Sequence, residues 1–359
     1  MVKLSNLVFS FDAKFRLEIE KLDVKEGEIL GIIGPNGAGK TTLLNIIALH
    51  EKPQSGNIEL FGREVRSTKE YVNLRREMSY VFSDPYLLKS TVYDNIALPL
   101  RLRGLSEHKR VQDMLEFFKI EHLKNNRASH LSQGERHRVA LARAFTSSPK
   151  LVILDEPFAN MDEGYRESLI SSLRKAAKIN KPAVVFTTHY REEAIALADT
   201  IAVMIDGRLL QTGRPDEIFS RPVSKEIAAF VGVMNLLEGK IIDKAQNLCS
   251  VKTGENIIEA VSDLKKDDEV YICLRPEDIV VSKQQESNSA RNNFKGVLTG
   301  VEPWKLAFKL SVDCGFSLAA YVTKQSVEDM NLKIGGEVYV SFKATALHLI
   351  KRDFTHDLI

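Results

Sequence analysis

The stretch EILGIIGPNGAGKTTLLNIIALH, residues 28–50, decides the fold. Its apolar start reads as a short buried strand, and its end as a helix with Leu43, Leu44 and Ile47 turned inward. Between them the loop GPNGAGKTT, residues 34–42, fits the pattern GxxxxGK(S/T) in the strand–loop–helix setting that the pattern requires. Gly34, Gly37 and Gly39 let the backbone curl so that N–H groups surround phosphate oxygens, and Pro35, Asn36, Ala38 and Thr42 complete the cradle. The Lys40 ammonium suits the β- and γ-phosphates of ATP, and the Thr41 hydroxyl suits Mg²⁺.

Two later strands end in groups suited to the same phosphates. LVILDEP, residues 151–157, places four apolar residues in a central strand and two acids at its carboxyl end, the edge where open α/β sheets bind ligands. Asp155 is a candidate to hold Mg²⁺ through water, and Glu156 to polarise an attacking water as general base. VVFTTHY, residues 184–190, is a second buried strand, and His189 behind it is placed to touch the γ-phosphate or that water. An acid pair or a strand-end histidine standing alone is more often structural. The phosphate loop makes the catalytic reading the stronger one.

Around these motifs the first 30 residues alternate as short strands with a turn near Glu26-Gly27. Strands follow at GNIELFG and MSYVFSD. Residues 91–128 read as mostly helical, with turn signals at Pro99 and Gly104, and helices are expected over 163–179 and at REEAIALA. Asp206-Gly207 marks a hairpin. Strands alternating with helices predict an α/β fold with a mostly parallel sheet covered on both faces. Near residue 235 the pattern turns into short strands. NLLEGKII at 235–242 echoes NNFKGVLT at 292–299, and DDEVYICLRPEDIVV at 267–281 echoes GGEVYVSFKATALHLI at 335–350, in the same order. Two small barrel-like β units are expected. The division anticipated is 1–234 and 235–359, with a helical subdomain over about 84–145.

The 359 residues are 44% hydrophobic and 27% charged, a globular composition, and the net charge of +2 gives no nucleic-acid footprint. No apolar run reaches the roughly eighteen residues of a membrane span. MVKLSNLVFSFD lacks a signal-peptide core, so a cytoplasmic location is expected. Cys249, Cys273 and Cys314 are far apart and read as small buried side chains.

The motifs together resemble the nucleotide-binding subunit of ATP-binding-cassette transporters, over residues 1 to about 234. The family's signature matches LSQGE, residues 131–135, and its subunit-contact loop matches ANMD, residues 159–162. The resemblance implies a P-loop NTPase cassette with a helical insert. It implies that Phe11 stacks on adenine, that His189 is the switch histidine and that Asp162 lies at the subunit contact. It also implies that two copies pair head to tail, so that Ser132, Gln133 and Gly134 of one close over ATP held by the other. A helix start suits this task, since its free N–H groups and partial positive charge attract anions. One position departs from the family: Ser83 stands where glutamine normally reaches Mg²⁺ or the attacking water, and serine has that reach only through a bridging water.

Residues 87–104, LLKSTVYDNIALPLRLRG, resemble the insert of importer subunits that forms a groove for integral-membrane permease subunits. Efflux, repair and translation-factor cassettes stay open at this point, although a single cassette with a β tail favours an importer. Residues 288–352 resemble the OB-like oxyanion-binding domain of molybdate-handling proteins and tungstate importers. That resemblance implies import of molybdate or tungstate from an external binding protein, and regulation by the same oxyanion in the tail. Ser289, Ala290 and Arg291, with Lys324 and Ser326 from a second loop, are the candidate ligands; two anion-accepting amides there can form a nest. The alternatives are an importer of sulfate, ferric iron, sugar or polyamine with a structural tail, and a clamp that does not hydrolyse ATP. Glu156 argues against the clamp. Trp304 reads as packing.

Overall fold

In the computed structural model every residue of the first predicted strand, Ile29–Ile33 (β3), is buried, as a central parallel strand requires. The structure describes residues 1–11, 15–159, 161–285 and 289–352, and falls into two compact units, Met1–Ile218 and Phe219–Ile359.

The first unit holds β1 (Val2–Ser10), β2 (Arg16–Val24), β3, β4 (Ser55–Leu60), β5 (Arg63–Glu64), β6 (Met78–Val81), β7 (Leu151–Leu154), β8 (Ala183–Thr188), β9 (Thr200–Ile205) and β10 (Arg208–Gly213). They form one sheet in the order β5-β4-β1-β2-β10-β9-β3-β8-β7-β6. The run β9-β3-β8-β7-β6 is parallel, while β1, β2 and β4 pair antiparallel. The expected hairpin joins β9 to β10, with Asp206 and Gly207 both at positive φ.

The helices of this unit are α1 (Lys40–Ile47), α2 (Thr68–Arg76), α3 (Val92–Arg101), α4 (His108–Phe117), α5 (Gln133–Thr146), α6 (Glu163–Asn180), α7 (Arg191–Leu197) and α8 (Pro215–Ser220), the last crossing the division between the units. Leu43, Leu44 and Ile47 of α1 are fully buried, as their spacing predicts. Pro99 does not form a turn. It lies inside α3, and the chain turns at Gly104, where φ is +64°. A proline there forfeits one helical hydrogen bond. Burial of Val92, Ile96, Ala97 and Leu100 holds the helix regardless. Before α3, the fully buried Asn95 organises the connection: its Oδ1 accepts from Leu88 N at 2.8 Å and its Nδ2 donates to Leu88 O and Thr91 O.

Parallel register decides where the ends fall. Ile33 lies beside Thr188, Leu154 beside Phe186, and Val81 beside Leu154. The residues that follow these strands therefore emerge together at one edge, although the sequence spreads them from Gly34 to His189.

In the second unit α9 (Lys225–Phe230) joins the β region, because Ala228 packs with Tyr271, Cys273 and Ile350. This unit thus begins before the change of composition at residue 235. Two five-stranded sheets follow. One has the order β13 (Asn256–Val261), β12 (Leu248–Thr253), β11 (Asn235–Ala245), β14 (Glu269–Leu274), β20 (His348–Lys351). The other has β15 (Val280–Ser282), β19 (Glu337–Phe342), β16 (Asn292–Trp304), β17 (Ala307–Asp313), β18 (Ser317–Val322). Each half of the repeat thus gives its last strand to the other half's sheet. The three cysteines are free and buried. Trp304 is partly exposed and stacks near Tyr321.

Two asparagines at equivalent places in the repeat bind the halves reciprocally. Asn235 of the first half accepts from Ala319 N at 2.6 Å and donates to Ala319 O at 2.9 Å. Asn292 of the second half accepts from Glu259 N and donates to Glu259 O, each at 2.8 Å. Both side chains are buried, and each completes the backbone bonding of an edge strand. Gly239 and Gly296 also correspond: a Cβ at either would lie within 2.6 Å of Val251 or 2.5 Å of Cys314 respectively.

Replacing either clasp leaves the N–H and C=O of a half-buried edge residue without their side-chain partner, which costs about 1 kcal/mol for each bond lost. Asn235→Ala and Asn292→Ala should each lower the urea midpoint of the second unit, read by fluorescence of Trp304, the single tryptophan. An unchanged midpoint in both variants would show that the clasps are energetically idle.

Candidate nucleotide-binding and hydrolysis site

The loop after β3 has a geometry that only glycine permits at its start. A Cβ on Gly34 would stand 2.0 Å from the Met204 carbonyl oxygen. Gly37 and Gly39 have φ of +82° and +100°, so the chain curls before α1 begins at Lys40. Lys40 is buried and donates to its own loop, to Gly34 O at 2.9 Å and Pro35 O at 3.0 Å. Burial holds its pKa below the ordinary 10.5, while the charges of Glu156 and Asp155 pull it back up. A phosphate group in this loop would restore a full counter-charge to that ammonium.

Asp155, buried at the end of β7, joins three segments. Its carboxylate accepts from Thr41 Oγ1 at 3.1 and 3.0 Å and from Thr187 Oγ1 at 2.7 Å. Thr187 Oγ1 in turn accepts from Glu156 N at 3.0 Å. That bond secures Glu156 in a left-handed conformation, φ +44°, uncommon for a residue with a side chain. The bend turns the Glu156 carboxylate toward His189, whose Nδ1 is 3.3 Å from Glu156 Oε1. Thr41 and Asp155 present oxygen donors only, the set that Mg²⁺ takes alongside phosphates and water.

Phe11, Phe15, Asn36, Gly37, Lys40 and Glu156 are among the residues that line a cleft of about 330 Å³. Phe11 is exposed, stands edge-on to Phe9 at 4.7 Å and has its ring centre 6.2 Å from that of Phe15. Phe15 is an aromatic wall that sequence reasoning missed; its position just before β2 carries no motif, and only the fold brings it against Gly39.

Ser132, Gln133 and Gly134 are not in that cleft. Ser132 caps α5 through a capping box with Glu135: Ser132 N donates to Glu135 Oε2 at 2.8 Å, and Glu135 N donates to Ser132 Oγ. Among the described residues the N–H groups of Gln133 and Gly134 make no hydrogen bond, and Ser132 and Gln133 are exposed. Asp162 is an exposed N-cap of α6, likewise away from the cleft; Asn160 of the same loop lies outside the described residues.

Ser83 is exposed, and its hydroxyl makes no hydrogen bond with Thr41, Asp155 or Glu156 among the described residues. Its carbonyl is used instead. His137, fully buried in α5, has Nε2 3.0 Å from Ser83 O and Nδ1 3.0 Å from Gln133 O. One imidazole thus ties the start of α5 to the segment after β6. The spacing Gln133 to His137, one helical turn, was the signal available in the sequence. A second missed group is Glu193, buried behind His189. It accepts from Thr188 Oγ1 and stands 3.3 Å from Arg166 Nε. Burial pushes the Glu193 pKa up, opposed by Thr188 and Arg166.

The candidate oxyanion residues are not gathered along their own sheet. Ser289–Arg291 precede Asn292 at the start of β16. Lys324 and Ser326 follow Val322, which pairs through Phe308 with Pro303 near the other end of β16. Arg291 pairs with Glu259 at 3.1 Å, Lys324 lies 3.7 Å from Glu328, and Ser326 N donates to Thr323 Oγ1.

Residues 17–159 match the ABC transporter family, and residues 288–349 match the TOBE domain family. The molybdate/tungstate import ATP-binding protein of Pyrococcus horikoshii is 36% identical over 94% of this chain and 96% of its own length. The spermidine/putrescine import ATP-binding protein of Thermotoga maritima is 34% identical over 83% of this chain and 82% of its own. The sulfate/thiosulfate counterpart of Thermosynechococcus vestitus is 31% identical over 94% and 95%. Among solved structures, a dimeric ATP-binding cassette in a post-hydrolysis state with ADP and Pi is 29% identical, with TM-score 0.55 over 60% of this chain and 99% of that one. The cbiO1 subunit of an ABC transporter complex from Clostridium perfringens is 30% identical, with TM-score 0.58 over 65% and 94%.

The His137 tie gives a direct test. His137→Leu removes the side-chain tie to the Ser83 carbonyl, while Gln133 O keeps its helical bond from the backbone of residue 137, and should lower the urea unfolding free energy of the cassette by about 1 kcal/mol, read by far-ultraviolet circular dichroism. A variant as stable as the parent would mean that the Ser83 carbonyl finds another donor.

Proposed function

The chain belongs to the ATP-binding-cassette import ATPases, and on that premise we propose that it drives uptake of molybdate or tungstate through a separate permease, with ATP held between two copies. The observation that carries the two-copy reading is a split site. Lys40, Thr41 and Glu156 line one cleft, whereas the α5 start offers unpaired N–H groups away from it. A second copy, placed head to tail, brings Ser132 and Gly134 over the terminal phosphate, and Asp162 to the contact. A helix start with free donors is a site for an anion.

In this reading the Phe11 ring stacks on adenine and the loop of residues 34–42 wraps the phosphates. Mg²⁺, held by Thr41 and Asp155, supplies charge neutralisation to the phosphate oxygens. Glu156 orients a water and accepts its proton as the water oxygen attacks the γ-phosphorus. The bond from that phosphorus to the bridging oxygen breaks, and ADP and phosphate result. His189, beside Glu156, steadies the water and the γ-phosphate, and the Thr188–Glu193–Arg166 contacts hold the strand end that carries it. Ser83 takes part through its carbonyl and His137, with its hydroxyl reaching the site only by way of water. Loss of the γ-phosphate removes one contact from the dimer and lets it reopen.

Several points favour the oxyanion. The relatives at 36–37% identity over most of the chain carry molybdate/tungstate names, ahead of the polyamine and sulfate relatives cited above. No helix of the described residues is long and apolar enough to cross a membrane, so this reading needs permease subunits in the membrane, fed by an external binding protein, with this chain on the cytoplasmic face. Ser289, Ala290 and Arg291 of one copy, with Lys324 and Ser326 of another, form the regulatory oxyanion site; their separation within one chain supports a site that closes between copies.

Glu156→Gln should lower ATP turnover by at least about a hundredfold while leaving an ATP-bound dimer visible by gel filtration. A variant that turns over normally removes Glu156 from the chemistry, and one that stays monomeric with ATP removes the split-site dimer. Equilibrium dialysis of the full chain should show molybdate and tungstate bound, and Lys324→Ala should weaken both. No binding to the parent protein would leave the tail a scaffold.

A further inference from the structure

The halves of the C-terminal unit repeat each other, so a charge present in one and missing from its counterpart shows where they diverge. Register aligns Val251 with Val312 and Glu259 with Ala319, the latter two each clasped by an asparagine of the other half. At the edge of the first half, Arg291 of the second half, which precedes the clasping Asn292, donates to the Glu259 carboxylate at 3.1 Å. The matching places at the edge of the second half hold Met234, before Asn235, and Ala319, so that ion pair has no counterpart. A cation stands instead at Lys309, opposite Tyr321, where the first half has Leu248 opposite Val261.

Lys309 and Ser311 lie on one face of β17, two residues apart, and with Ser317, Met234 and Leu236 they line a cleft of about 380 Å³. Lys309 is half-buried and makes no ion pair among the described residues. The hydroxyls of Ser311 and Ser317 make no hydrogen bond among those residues. Asp313, further along the same face, turns its carboxylate to the Gly315 amide at 2.9 Å. Glu302 stands opposite Lys309 across β16 but makes no ion pair with it among the described residues, so the half-buried ammonium, beside two free hydroxyls and apolar side chains, suits an anion with an apolar body.

We infer that this cleft binds a small organic carboxylate. Its carboxylate sits on Lys309, Ser311 and Ser317, supplying the charge that Glu259 supplies to Arg291 at the edge of the other half, and its aliphatic part lies against Met234 and Leu236. A bare tetrahedral oxyanion satisfies the ammonium but leaves the apolar wall and most of the cleft uncovered. This site is separate from the loops carrying Ser289 and Lys324.

Acetylation of the full-length protein, followed lysine by lysine by mass spectrometry, tests it with sodium succinate, sodium propionate and sodium sulfate as probes. Saturating succinate or propionate should slow acetylation of Lys309 several-fold and leave Lys324 unchanged; sulfate should leave Lys309 unprotected. Ala319→Glu restores the first half's carboxylate, so it should slow Lys309 acetylation without any probe and abolish the further effect of succinate. Lys309→Met should weaken succinate binding by about tenfold in calorimetry, as loss of one charged partner does. Equal protection by sulfate would overturn the carboxylate assignment. No protection by either carboxylate, or full protection persisting in Ala319→Glu, would overturn the site.

Discussion

The nucleotide unit depends on one buried carboxylate. Asp155 accepts from Thr41 at the start of α1 and from Thr187 on β8, so it fixes the phosphate loop and two parallel strands in one frame. Through Thr187 it also sets the bend at Glu156, and through that bend the approach of Glu156 to His189. A carboxylate buried this deeply is stable only when its oxygens are satisfied, and here hydroxyl donors satisfy it. The same oxygens and the Thr41 hydroxyl are of the kind suited to Mg²⁺.

The start of α5 lies outside the lining of the phosphate-loop cleft and keeps its own order. The capping box uses Ser132 and Glu135 to satisfy each other, which leaves the amides of Gln133 and Gly134 free. His137 then anchors the helix start to the carbonyl of Ser83. The segment after β6 is therefore joined to α5 through a backbone carbonyl and an imidazole.

The second unit relies on exchange. Each half donates its final strand, and each lends an asparagine to an edge strand of the other, so neither half can complete its hydrogen bonding alone. Duplication with divergence then becomes a source of sites. The Arg291–Glu259 pair seals one edge, and its loss at Met234 and Ala319 leaves a cation facing a cleft.

The sequence alone determined the features set by local chemistry. Glycines at fixed offsets, a lysine and a threonine at the head of a helix, acids behind an apolar run and a capping box are each legible because neighbours in the chain create them. The repeat was legible for the same reason, as matched strands in matched order. Tertiary structure alone decided what depends on register and on edges. The Thr41–Asp155–Thr187 knot, the Phe15 wall, the His137 tether and the strand exchange all join residues far apart in the chain. Helical Pro99 belongs with them, since burial of one helix face outweighed the local signal for a turn. Contacts between distant segments leave no periodicity to read, because the chain fixes their partners only once the strands have paired.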